Sequence, residues 1–404
     1  QGDFSQTLDS QGGRLTIYNP YSTTVSGTTV TRQPFAGNRV PSSLVNVTGQ
    51  AIMNAYPKAN LNVPAQIGLY NWVAPGGSQV PATQISQRLD QVISGKQRLF
   101  GRFGFMNYLT QFPELPKGLY SAPIGGNPNG DFRHFYTASL NDDYLFSPSL
   151  ILSVRYNFAR YWSDTWYAGN YLDPRELKLA DAIISNQIRP AWPNIQMGEG
   201  MIAFGHRFKT RANDSHALVP TLTKLAGSHS LRFGFEARQV SWNENSPNTH
   251  AGGYFTFNAG FTQSDPQQSA ASKTSGTSMA SLLLGVPASG DIRGPTPYAL
   301  RSYFYGGFVQ DDWKVSRNLT LNFGVRWELE TPYTERFDQL FYGFGYNIDN
   351  PVKVPGINMR GGPLYANVDG NPRRNGNLDP NNLGPRFGFA WQVHPGTVLR
   401  GGYG

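Results

Sequence analysis

Five very short turns alternate with four very long connections along this 404-residue chain. The turns fall at Ser94-Gly95-Lys96, Ser147-Pro148-Ser149, Ala226-Gly227-Ser228, Val315-Ser316-Arg317 and His394-Pro395-Gly396, each between two runs that alternate apolar and polar residues. A period of two sends successive side chains to opposite faces of an extended strand, so each turn reads as the tip of a β-hairpin. The connections cover residues 109–133, 165–214, 244–302 and 331–382. Compact domains join their elements with a few residues, so connections of this length must do something of their own.

The two faces of the strands differ in chemistry. After the second turn Leu152, Val154, Tyr156 and Phe158 oppose Ser153, Arg155, Asn157 and Ala159. After the third, Leu231, Phe233, Phe235 and Ala237 oppose Arg232, Gly234, Glu236 and Arg238, and after the fourth Leu319, Leu321, Phe323, Val325 and Trp327 oppose Thr320, Asn322, Gly324, Arg326 and Glu328. A soluble sandwich has short loops at both ends and turns its charged face to solvent. Tight turns at one rim and long loops at the other are the rhythm of a bacterial outer-membrane barrel, whose strands show lipid every second residue. The expectation is an all-β chain: residues 1–86 as an extracellular loop region, and 87–404 as a partial transmembrane antiparallel β-barrel of about eleven visible strands, with periplasmic turns. The facing of the descending strands is not assigned, since Tyr303 to Lys314 carries aromatics on both faces and Pro220 interrupts the run from His216 to Leu225.

Composition agrees. Apolar runs such as Leu282-Leu283-Leu284 fall far short of the about 18 residues a membrane helix requires, while a mean hydropathy of −0.41 is compatible with strands that are apolar on one face only. Cysteine is absent, consistent with passage through an oxidising periplasm without disulfides. The net charge of +8 is spread over many strands without a basic run, so no nucleic-acid partner is expected.

Catalytic and metal chemistry find little support. The six histidines (134, 206, 216, 229, 250 and 394) show no ligand spacing, and no Gly-x-Ser-x-Gly elbow occurs. Neither an enzyme nor a cofactor or metal is expected. The oxygen-rich stretch from Asp369 through Asn371, Asn375, Asn377, Asp379, Asn381 and Asn382 lacks the bidentate glutamate of a calcium loop and reads first as a solvated turn region.

The segment from Tyr303 to Glu328, with Phe308-Val309-Gln310-Asp311-Asp312-Trp313 before its turn and Leu321-Asn322-Phe323-Gly324-Val325-Arg326 after it, closely resembles a barrel hairpin of TonB-dependent outer-membrane transporters. Gly2-Asp3-Phe4-Ser5, Asn38-Arg39-Val40-Pro41, Leu99-Phe100-Gly101-Arg102, Leu282-Leu283-Leu284-Gly285 and the stretch from Pro385-Arg386-Phe387-Gly388 onward resemble the Oar-like branch of that family. The resemblance implies a barrel of about 22 or more strands, filled by an N-terminal plug and coupled through a periplasmic box to the TonB energy complex. The chain opens at Gln1 without initiator methionine or signal peptide and stops inside an alternating run, so it is expected to be an internal piece, with plug and coupling box upstream.

The arginines of the polar face, Arg155, Arg232, Arg238, Arg326 and Arg386, are expected to point into the lumen with Glu236 and Glu328. Two readings stay open: a positive interior for an acidic plug surface or an anionic ligand, or arginines and carboxylates that neutralise one another across adjacent strands. Exposed loop aromatics are further candidates for ligand contact: Trp192, Tyr333, Phe341, Tyr342, Phe344 and Tyr346, with Tyr167 and Tyr171 nearer a strand end. Trp162 and Trp166 read as an interfacial girdle. Ser278 to Val286 is expected to pack a connection against the rim. The expected partners are outer-membrane lipid, the TonB complex and a large extracellular ligand such as a peptide, a metal chelate or an oligosaccharide. A structural or adhesive surface barrel that transports nothing is the alternative.

Overall fold

The computed structural model describes every residue except 1, 74–76, 78, 112–118, 121–129, 167–171, 186, 188–190, 202, 206–207, 246–251, 268–273 and 294–296. Its dominant feature is an eleven-stranded antiparallel sheet. In chain order the strands are β1 (Ala82–Ser94), β2 (Gln97–Gln111), β3 (Gly130–Ser147), β4 (Leu150–Trp166), β5 (Phe208–Ala226), β6 (His229–Asn245), β7 (Tyr298–Lys314), β8 (Leu319–Glu330), β9 (Asn382–His394) and β10 (Thr397–Tyr403). Each pairs with the next, and the short strand Thr334–Glu335 adds to the edge of β7. All five tight turns join consecutive strands at one rim. Gly227 and Gly396 adopt φ of +60° and +91°, the left-handed backbone that their turns require and that only glycine adopts without steric cost.

The strands run further toward the opposite rim than the alternation predicts. Connections expected at 109–133, 165–214 and 244–302 begin and end later and earlier, because β2 continues to Gln111, β5 starts at Phe208 and β7 at Tyr298; β1 likewise starts at Ala82, ahead of residue 87. The reason is physical. Beyond the lipid both faces of a strand meet water, so the ladder continues while the hydrophobic alternation that reveals it disappears.

The register assigns the faces of every strand. One face collects Leu140, Val154, Tyr156, Leu218, Leu222, Phe233, Phe235, Tyr305, Val309, Phe323, Val325 and Phe387 into a band across neighbouring strands. Most of these side chains are substantially exposed, with Leu140 at 47% and Val325 at 46%, as expected of a surface that meets lipid. Pro220 sits in this band opposite Val154, and the β5–β6 ladder skips it between Leu218 and Thr221, where its missing N–H leaves no bond to make. Two carboxylates interrupt the band toward the tight-turn rim. Asp142 accepts from Gln97 Nε2 at 2.9 Å, and Asp311 lies 2.6 Å from His229 Nδ1.

The described parts of the N-terminal segment and of the first three long connections fold together into a lobe with its own core. The short helix α2 (Ser278–Leu283) lies at its centre, with Ala280 and Leu282 fully buried, instead of merely lying against the rim. Phe4, Leu15, Ile17, Phe35 and Val40 from the N-terminal segment pack on one side of it. Ile52 of the helix α1 (Val47–Ala55), Leu177, Trp192, Ile195 and Phe257 pack on the other. The two helices cross at Gly49, where a Cβ would stand 2.1 Å from the carbonyl oxygen of Leu282. A five-stranded sheet completes the lobe in the order Ser289–Asp291, Tyr254–Phe257, Asn194–Met197, Ala203–Phe204, Leu119–Tyr120, taking strands from three different connections.

Several polar contacts fasten the lobe. The Glu199 carboxylate accepts from Ser278 N at 3.0 Å and from the Thr277 hydroxyl at 3.2 Å, closing the start of α2. One Arg32 nitrogen donates to the carbonyls of Gly260, Phe261 and Gln263 at 2.8, 3.0 and 3.2 Å. The backbone N–H of Ser5 above all, with Arg39, holds the exposed Asp3 carboxyl down to about 2.

Candidate functional site

The polar face of the wall carries the candidate site. Register places Arg155, Arg232, Glu236, Arg238, Arg326, Glu328 and Arg386 on this one face. Their pairing departs from the expected neutralisation across adjacent strands. Arg238 lies 3.6 Å from Glu236, and Arg326 bonds Glu328, so the neutralising contacts run along single strands, two residues apart, and not across adjacent ones. Residues i and i+2 of a strand share a face, so a long guanidinium stem folds back onto its own neighbour. Arg155, Arg232 and Arg386 have no carboxylate partner among the described residues. Arg155 Nε donates only to Asn141 Oδ1, at 3.4 Å.

Glycine shapes the floor around these groups. A cavity of about 340 Å³ is lined by Arg386 with Gln310, Asn322, Gly324, Gly388 and Gly402, and a second of about 270 Å³ by Arg326, Glu328, Asn382, Gly384 and Arg386. Gly234 has a different use, since a Cβ there would fall 2.1 Å from the ring of Phe308. The aromatic ring of the neighbouring strand fills that space, so Gly234 is not open to a ligand or a plug.

Toward the long-loop rim the same face holds a band that the sequence reading placed in loops or left out. Across six strands a single row reads Tyr108, Arg133, Ser163, Arg211, Glu244, Tyr298. Arg133 bonds Asp131, donating from Nε at 2.8 Å, and donates from Nη1 to the Tyr108 hydroxyl at 2.6 Å. Glu244 is 8% exposed and takes two cations at once, Lys209 at 2.8 Å and Arg211 at 2.9 Å. The Arg211 guanidinium also stands 5.7 Å from the centre of the Trp242 ring, while the rings of Phe135 and Tyr161 pack tilted against each other nearby at 4.9 Å. Guanidinium groups over aromatic faces bind polar and anionic groups with little loss of rotamer freedom. The available signal was the density of Lys209, Arg211, Trp242 and Glu244 beside recognised strands, and the loss of alternation hid it.

The loop aromatics divide. Trp192 is not exposed: it is 2% accessible, its Nε1 donates to Asp173 O at 3.0 Å, and it belongs to the lobe core, because the connection that carries it is folded. Tyr333, Phe341, Tyr342, Phe344 and Tyr346 are exposed, four of them on the strand Phe341–Asp349, which pairs with Arg360–Tyr365 in a separate hairpin. Phe344 and Tyr346 meet edge to face at 5.1 Å. Tyr167, Tyr171, His206 and His250 lie outside the described residues. In the oxygen-rich stretch Asn371 donates to Tyr365 O at 3.2 Å and Asp369 is left-handed, both features of turns.

The outer membrane beta barrel domain family matches the chain over residues 1–404. Similar solved structures include the ferric-catecholate import receptor Fiu of Escherichia coli K12, at 12% identity and a TM-score of 0.41, covering 78% of this chain and 42% of that one. Others are the outer membrane transporter YddB of Escherichia coli (9%, 0.40, 96% and 38%) and BauA, the ferric preacinetobactin receptor of Acinetobacter baumannii (9%, 0.40, 78% and 38%). The chain thus spans about two fifths of the length of these structures. No curated protein matches it.

Proposed function

The chain belongs to the outer membrane beta barrel family and resides in the bacterial outer membrane, and from that premise we propose that it is wall and outer lobe of a TonB-dependent transporter of the Oar-like branch. Its task is to carry a large ligand, such as a peptide, a metal chelate or an oligosaccharide, through a plugged barrel; it binds and passes its cargo without chemical change. The observation that supports this most is the composition of the polar face. Among the described residues Arg155, Arg232 and Arg386 stand without carboxylate partners beside the local pairs of Arg238 and Arg326, and the mouth band adds two cations around the single Glu244. In the lumen of a barrel such a surface attracts an anionic group on a plug or a passing ligand.

Transport is tested in cells that express the intact protein, with a casein peptide digest, an iron–catechol chelate and maltoheptaose as labelled probes. Uptake of one probe should require the protein, stop when a protonophore collapses the inner-membrane potential, and fall several-fold in Arg232→Gln/Arg386→Gln. Uptake of all three that ignores both deletion and protonophore rejects transport. A folded lobe with an exposed aromatic hairpin supports the second reading, a surface or adhesive barrel, which that outcome would leave standing.

A further inference from the structure

The apolar face ends abruptly toward the long-loop rim, and the manner of its ending points to a ligand. Three successive rows cross β3 to β7. The first reads Leu140, Tyr156, Leu218, Ala237, Tyr305 and is almost wholly apolar. The next reads Ala138, Phe158, His216, Gln239, Tyr303, with the Tyr156 hydroxyl 2.7 Å from His216 Nδ1. The third reads Tyr136, Arg160, Asp214, Ser241, Arg301. Directly beyond it His134 and Trp162 pack ring to ring at 5.0 Å.

Charge does not balance along the third row. Arg160 reaches Asp214 only at 3.5 Å, its side chain is 45% exposed, and Asp214 Oδ1 is buried without a hydrogen bond. Arg301 is exposed, faces Thr334 on its other side, and has no carboxylate partner among the described residues. The row therefore carries two guanidinium groups and a single carboxylate.

We propose that Arg160 and Arg301 hold the phosphate-bearing headgroups of lipid in the outer leaflet, while the acyl chains lie along Leu140, Tyr156 and Leu218. The inference rests on the apolar face meeting lipid and on the long loops lying outside the cell. It is carried by continuity: Leu140, Tyr156 and Leu218 are 47%, 41% and 45% exposed, and the two arginines follow at the level where the apolar surface stops. Three strand spacings of about 4.8 Å separate the arginines by roughly 14 Å, so each guanidinium takes its own phosphate in the two-pronged manner that suits that group. Trp162 and His134 mark the same interface from the polar side.

The test uses the full-length protein in maltoside micelles, titrated with phosphatidylglycerol or phosphatidylcholine and read by native mass spectrometry. The expected result is a saturable phosphatidylglycerol adduct, at least tenfold tighter than phosphatidylcholine, that weakens at least tenfold in Arg160→Gln/Arg301→Gln and persists in Arg102→Gln/Arg400→Gln on the other face. Heat-modifiable migration of each variant checks that it has folded. Equal adducts in the two double variants, or equal affinity for the two lipids, overturn the site. Displacement of the adduct by millimolar inorganic phosphate also overturns it, since the site would then read free phosphate. If Phe233→Arg leaves stability unchanged, the lipid-facing assignment itself has failed; if Phe233→Arg is costly and the lipid result is negative, only the headgroup site has.

Discussion

Phe233 faces Leu222 on one neighbouring strand and Val309 on the other, with no charge directly opposite it. An arginine there would have apolar side chains directly across on both sides and lipid in front, so Phe233→Arg should cost about 2–4 kcal/mol of barrel stability, whereas Ser153→Arg, beside Asp143 on the polar face, should be close to neutral. Val154→Arg and Phe323→Arg should cost less than Phe233→Arg, because Asp142 stands opposite the first and Asp311 opposite the second. Urea unfolding of the full-length protein in phospholipid vesicles measures all four. Equal losses at Phe233 and Ser153 would mean that the register is wrong. This ranking was not legible in the sequence, where the three apolar positions look alike; only cross-strand pairing brings the two aspartates to two of them.

At the scale of elements the crossing of α1 and α2 is the tightest joint of the lobe. Gly49→Ala forces a methyl against the Leu282 carbonyl and should destabilise the lobe by about 1–3 kcal/mol without affecting the wall. Hydrogen exchange at Ser281, Leu284 and Val286, compared with strand β4, checks that separation; loss of protection in both would show the two parts to be one cooperative unit. The hairpins were legible because a short turn between alternating runs has few other solutions, and the faces of β4, β6 and β8 followed from the same period. The ends of the strands were not, since a strand wet on both sides loses its alternation. Nor was the lobe. Trp192 and Leu282 look like loop residues locally, and only the meeting of distant connections buries them. Among the site residues, the common face of Arg155, Arg232 and Arg386 was readable from periodicity, but the pairing of Arg238 with Glu236 and of Arg326 with Glu328 needed coordinates.

Taken as a whole, the molecule joins two structures of opposite topology. In the wall each of the strands β1 to β10 bonds to its neighbour in sequence. In the lobe, Gly276 N donates to Thr16 O at 2.9 Å, Tyr18 N to Thr262 O at 2.8 Å and Asn46 N to Leu283 O at 2.7 Å, across more than half the chain. The difference sets an order of events in time. A meander can zip hairpin by hairpin, each step closing a short loop, but the lobe has no local nucleus and must wait for contacts of large sequence separation. Pulse-labelled hydrogen exchange during refolding into lipid should find β3 to β6 protected before the amides of Tyr18, Phe35 and Asn46, and protection of those three first would reverse the order. Insertion into the membrane would then serve as the template that gathers the outer segments, so a finished lobe can stand only on a wall already built at least as far as β6.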